Sequence, residues 1–250
     1  MRGSLDIPVV LLGWALLAPA AAQQRVVPDT MAQRLLACTG CHGAPATVAA
    51  NTQPAGERRY FPRIAGKPAG YLYNQLLNFR AERRRYPLMT HMVAPLSDDY
   101  LREIAAHFAG QHPPAPPPGR PDSSAAELER GRRLVAQGDA ALKVPACIAC
   151  HGERLTGALP AIPGLAGLPR DYINAQFGAW RNGDRHALAP DCMAVIAARL
   201  SPADIAAVSA WLASQPQPSD VRPAPQPDRP LPLACGSAPE ARPRTAVARP

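Results

Sequence analysis

One hexapeptide pattern occurs twice and limits what this chain can become: CTGCHG at 38–43 and CIACHG at 147–152. Two cysteines separated by two residues can grip zinc, form a redox disulfide or anchor a haem through thioethers. A structural zinc site needs a second ligand pair roughly 15–20 residues further on, and neither motif is followed by one. A thioredoxin-type pair belongs beside a βαβ pattern, which the sequence lacks. The histidine after each second cysteine completes C-x-x-C-H, the attachment signature of c-type haem. Cys38, Cys41, Cys147 and Cys150 are therefore expected to form thioethers, with His42 and His151 as the proximal iron ligands. The expected cofactors are two covalently bound haem c groups.

The duplication extends beyond the motif. PRIAGKPAGYLYNQLLNFR (62–80) matches PGLAGLPRDYINAQFGAWR (163–181), pairing Pro62 with Pro163, Tyr71 with Tyr172, Gln75 with Gln176 and Arg80 with Arg181. MTHMVAPLS (89–97) then matches MAVIAARLS (193–201) in the same order. Two copies of one small domain are the expectation, at 23–112 and 122–215. PPAPPPGRP lies between them at 113–121 and favours a semi-rigid polyproline spacer. Residues 216–250 are rich in proline and show no helical or alternating period, which predicts a tail without regular structure.

Helix signals dominate both copies. Asp29 or Thr30 can cap a short helix running into Cys38, and SAAE at 124–127 has the capping-box pattern. The spacing of apolar residues predicts middle helices over 69–84 and 170–182. Ser97 and Ser201 are predicted N-caps of paired last helices, with Pro202 at the first helical position. Strand signals are weak, so the expected fold class is all-α.

A haem iron in an electron carrier needs a sixth ligand, and methionine raises its potential relative to histidine. Met193 stands eight residues before Ser201, and Met89 stands eight before Ser97. Met92 instead matches Ile196 and is expected to pack, as is Met31. Met89 and Met193 are accordingly the expected distal ligands, with Met92 the alternative in the first copy. His91, His112 and His186 read as loop histidines, and His107, which matches Trp211, as a packing residue. The carbonyls of Pro62 and Pro163 are candidates to accept the free N–H of the ligand histidines and so set their tautomer.

Cys192 and Cys235 remain. An even remainder in an oxidising space suggests a disulfide between them, which would pin the tail beside Met193. Two unpaired thiols, intermolecular pairing, and Cys192 as an iron ligand are the alternatives. The oxidising space is itself inferred from the first 22 residues, where IPVVLLGWALLAPAAA follows Arg2 and ends in small residues. That is a signal-peptide pattern cleaved after about Ala22, although Asp6 leaves an uncleaved anchor open. Periplasmic export follows, with peripheral membrane association left open.

The 250 residues carry a formal charge of +8, and only Lys67 and Lys143 of the 27 basic residues are lysine. Haem propionates would remove several of those charges, so the basic balance does not argue for nucleic acid.

Taken in order, CxxCHG, the P.(I/L)AG.P..Y stretch and the M.......LS helix entry, each present twice over 29–215, resemble the cytochrome c4 family. The resemblance implies two tandem class I cytochrome c domains, two His/Met haems and periplasmic electron delivery. The partners it implies are redox proteins: an oxidase, a dehydrogenase or a quinol-oxidising complex. The main expectation is thus a non-enzymatic electron carrier. A dihaem enzyme oxidising a small inorganic substrate, of the thiosulfate dehydrogenase kind, is the alternative, as is a haem subunit of a dehydrogenase complex. The long tail and Cys192 depart from the family pattern.

Overall fold

A computed structural model describes residues 29–42, 61–112 and 123–239. The signal-peptide pattern, the proline spacer at 113–121 and the end of the tail lie outside the described residues.

The first copy contains α1 (Met31–Arg34), α2 (Leu36–His42), α3 (Ala69–Arg80), α4 (Pro87–Val93) and α5 (Asp98–Ala109). Thr30 caps α1 by accepting from the Gln33 N–H, while Asp29 pairs with Arg34. Ser97 caps α5, with Asp98 and Asp99 in its first turn beside the positive end of the helix dipole. Leu35, Leu72, Phe79, Leu101, Ile104 and Phe108 form the first core, and α3 packs on α5. Met31 and Met89 pack against this core; Met92 is half-buried outside it.

The second copy contains α6 (Ala125–Ala136), α7 (Ile148–His151), a two-residue antiparallel pair β1 (Gly157–Ala158) and β2 (Ile162–Pro163), α8 (Arg170–Asn182), α9 (Cys192–Arg199) and α10 (Pro202–Ser214). Ser124 caps α6, but Glu127 does not reach back to complete the box, because its carboxylate pairs with Arg170 at 3.0 Å. The reciprocal capping box forms instead at Ser201 and Asp204. Leu134, Val135, Tyr172, Phe177, Ile196, Val208 and Leu212 make the second core. Mostly helical content with one minimal hairpin agrees with the expected fold class. No single helix among the described residues is long and apolar enough to cross a membrane.

The matched arginines do the same work in both copies. Arg80 donates to Leu96 O at 2.8 Å and Arg181 to Leu200 O at 2.5 Å, tying each middle helix to the residue before the last helix's cap. The first middle helix is shorter than expected, ending at Arg80 rather than 84. Glu82 adopts a positive φ of 54°, which ends the helix and redirects Arg83–Arg85 towards the second copy. There Arg84 and Arg185 form an antiparallel bridge, Arg85 N–H donates to Asp184 O at 2.7 Å, and His186 N–H donates to Arg83 O at 2.6 Å.

In the second copy α6 and α10 cross at Gly131, where a Cβ would fall 2.1 Å from Ala207 O. Only a residue without a side chain lets the two backbones meet so closely. Replacing Gly131 by valine should lower the stability of the second copy by about 1–3 kcal/mol or more, read as a lower midpoint in guanidinium unfolding.

Candidate functional site

Each motif histidine is placed by one backbone carbonyl. His42 Nδ1 lies 3.0 Å from Pro62 O, and His151 Nδ1 lies 2.8 Å from Pro163 O. A carbonyl only accepts, so Nδ1 carries the hydrogen in both rings and Nε2 keeps its lone pair. Burial lowers the pKa of both histidines, His151 being 8% exposed, and so keeps the rings neutral and able to bind a metal. The same low-dielectric setting acts on the cysteines. Burial pushes Cys147 up to about 12 and also raises Cys38 and Cys150. These are neutral thiols facing apolar space, a poor setting for thiolate-bound zinc and a suitable one for thioethers. No group of three or more metal-ligating side chains occurs among the described residues.

Cys147, Cys150, His151 and Met193 line one cavity with about 1500 Å³ of empty volume, partly open to solvent. Its walls are apolar, supplied by Leu165, Leu168, Phe177, Ile196, Val208 and others. His151 enters it from α7 and Met193 from α9, so the cavity gathers every second-copy residue expected at a haem. In the first copy, Cys38 and Met89 pack against the same core, and His42 lies edge-on to Phe61 at 6.3 Å between ring centroids. His91, His112 and His186 are exposed; His107 is half-buried, 2.7 Å from Gln111 Nε2.

The cavity also reaches the junction between the copies, where cations collect without acidic partners. Arg84 bonds to Gln75 Oε1 at 2.9 Å, to Gln176 Oε1 at 2.7 Å and to the Tyr172 hydroxyl at 3.1 Å. Arg185 bonds to Gln176 Oε1 at 2.6 Å and Gln75 Oε1 at 3.3 Å, and lies 3.8 Å above the Trp180 ring. Lys67 crosses from the first copy to donate to Gly164 O at 2.9 Å. Among the described residues none of the three meets a carboxylate. Burial, then repulsion from Arg84, lowers the Arg185 pKa, and burial draws Lys67 down to about 8. The Trp180 Nε1–H, on the same wall, is buried and has no acceptor. Arg185 and Lys67 line this apolar space and Arg84 shares the Gln75 and Gln176 acceptors with Arg185, so positive charge beside an apolar cavity fits a group that is apolar in its body and anionic at its edge. Haem, with its two propionates, is such a group.

Arg84 and Arg185 were not singled out from the sequence. Carrying the Arg80/Arg181 match four residues further would have paired them. The RRR run at 83–85 hid that signal, since a charge run reads as a solvated face.

A cytochrome c4 from Pseudomonas aeruginosa is 33% identical to this chain, over 70% of this chain and 82% of its own length. The chain belongs to the cytochrome c4 family. The reduced cytochrome c4 from Pseudomonas stutzeri has the same fold, with a TM-score of 0.59, 30% identity and coverage of 73% of this chain and 95% of that one. The general cytochrome c family model matches residues 128–216. A protein from Thiomonas intermedia described as a thiosulfate dehydrogenase electron acceptor is 35% identical, over 84% of this chain and 90% of its own. Like other members of the cytochrome c4 family, the chain is a dihaem electron carrier with covalently bound haem c, and its partners are redox proteins.

Removing one junction charge should be felt at both haems, because Arg84 and Arg185 each bond to side chains from both copies. Arg185→Gln should lower both reduction potentials, by on the order of tens of millivolts, since a nearby cation disfavours the ferric state. Potentiometric titration followed by visible spectroscopy measures it.

Proposed function

We propose that this cytochrome accepts electrons from a thiosulfate dehydrogenase in the periplasm and passes them to a further redox protein, without oxidising thiosulfate itself. Cys38 and Cys41 hold one haem and Cys147 and Cys150 the other. His42 and His151 are the proximal ligands, Met89 and Met193 the distal ones. The two haem domains run over 23–112 and 122–215, with the leader removed after about Ala22. The observation that carries the choice of donor is the Thiomonas intermedia relative, which aligns along most of both chains and is itself described as such an acceptor.

Bound haem supplies the one-electron chemistry; the residues orient and insulate it. The Pro62 and Pro163 carbonyls hold each imidazole in one tautomer, so Nε2 is always the free nitrogen. The apolar walls contributed by Phe177, Ile196 and Val208 keep water from the second centre. Arg84 and Arg185, reaching side chains of both copies, hold the two centres in one electrostatic environment. A carrier rather than an enzyme is favoured by Cys192. Its sulfur is bonded to Cys235, so it is not a thiolate free to ligate iron.

The purified ferric protein should be reduced by thiosulfate only when a catalytic amount of a thiosulfate dehydrogenase is added, as seen in the visible spectrum of the ferrous haem. Sustained oxidation of thiosulfate by this protein alone would overturn the assignment in favour of an enzyme. For the ligands, Met89→Ala and Met193→Ala should each remove one of two methionine–iron charge-transfer contributions, while Met92→Ala leaves both.

A further inference from the structure

The second copy carries an element that the described part of the first does not. After α10 ends at Ser214, residues 216–239 fold back over the second copy without forming an α-helix. Ala224 N–H donates to Gly157 O at 2.9 Å, and Leu159 N–H donates to Ala224 O at 2.8 Å, adding the tail to the edge of the small hairpin. Leu233 packs on the second core, while Leu231 and Cys235 pack with Ala158, Ala161, Ile162 and Ala238. Gly236 N–H donates to Pro190 O at 2.9 Å, and Gly236 sits so close to Ala189 O that a Cβ would come within 2.2 Å of it. Asn74 of α3 donates to Ser237 O at 3.1 Å, so the first copy holds the tail too. Leu231, Leu233, Cys235 and Ser237 thereby wall the cavity that His151 and Met193 also line.

The latch is the Cys192–Cys235 disulfide, closing 43 residues of chain, and Cys192 is the first residue of α9, directly before Met193. In the repeat, Leu88 occupies the position of Cys192, directly before Met89. Leu88 is 51% exposed and Tyr86 beside it 45%. One methionine helix is therefore crosslinked under a packed tail and the other starts at an exposed edge.

We propose that the 216–239 tail, latched by Cys192–Cys235, is a closure dedicated to the second haem: it holds Met193 on the iron and denies small ligands entry, while Met89 has no equivalent restraint among the described residues. This rests on Met193 being the distal ligand. An iron–thioether bond is opened by movement of the helix that carries the methionine. A crosslink on the neighbouring residue removes conformations in which that helix has swung away. The apolar side chains Leu231 and Leu233 add burial, a factor that sets haem potential. The two centres thus differ in ligand lability: the first exchanges readily and the second is locked.

Carbon monoxide binding to the ferrous holoprotein tests this, because it competes with the distal methionine. Met89→Ala and Met193→Ala identify the kinetic phase of each haem. In the wild type the second haem should be the slower to bind. The Cys192→Ser/Cys235→Ser double variant should speed binding at the second haem by on the order of tenfold or more, with the first haem unchanged. Gly236→Val, which lifts the tail from Ala189 while keeping both cysteines, should act in the same direction and serves if the double variant does not accumulate. If Met193→Ala changes neither kinetic phase, the ligand assignment has failed. If Met193→Ala opens the second haem but neither tail variant changes its rate, the closure is wrong and the assignment stands.

Discussion

Each half of this protein is organised around an imidazole that one proline carbonyl holds in place. The bond between Nδ1 of His42 or His151 and the carbonyl of Pro62 or Pro163 spans the loop between the cysteine motif and the middle helix. It settles which ring nitrogen is free. Burial then keeps the ring neutral and the neighbouring thiols protonated, so that the site favours a neutral nitrogen donor and thioether linkages over a thiolate metal cluster. Low aromatic content becomes intelligible in this setting: much of the interior of the second half is a cavity shaped for a large apolar group, not for side chains.

The junction between the halves obeys a different constraint. Guanidinium groups brought together away from water repel one another and lose hydration, and such an arrangement persists only where acceptors or anions compensate. Gln75 and Gln176 accept from both arginines, one amide oxygen from each copy, and Tyr172 adds a third acceptor. These groups satisfy hydrogen bonds without neutralising charge. The remaining positive potential faces the cavity, where carboxylates of a bound cofactor would complete it. Contact between the halves and cofactor binding are coupled by this arrangement.

Symmetry within the chain makes the asymmetry informative. Arg80 and Arg181 hold equivalent carbonyls, and Ser97 and Ser201 cap equivalent helices. Against that background the tail, its disulfide and the close approach at Gly236 belong to the second half alone among the described residues. Two centres with the same proposed ligands are thereby given unequal surroundings, which is how one duplicated domain can supply two functionally different redox sites.

Much of this was legible in the sequence because covalent haem attachment requires adjacent residues. C-x-x-C-H is local, and duplication turned the distance from methionine to helix cap into a ruler that singles out Met89 and Met193 as the proposed distal ligands. Helix caps are local too, and Thr30, Ser97, Ser124 and Ser201 all cap as their hydroxyls predict. What only the tertiary structure decided were relations between distant segments. Glu82 turned the chain so that Arg84, in a run that reads as solvent-facing, became part of the junction. A proline-rich tail with no periodicity became a wall, because single backbone hydrogen bonds, one disulfide and scattered leucines order a segment without leaving a repeating pattern. Local chemistry is written in neighbouring letters; compensation of buried charge and closure over a cavity depend on which surfaces meet after folding.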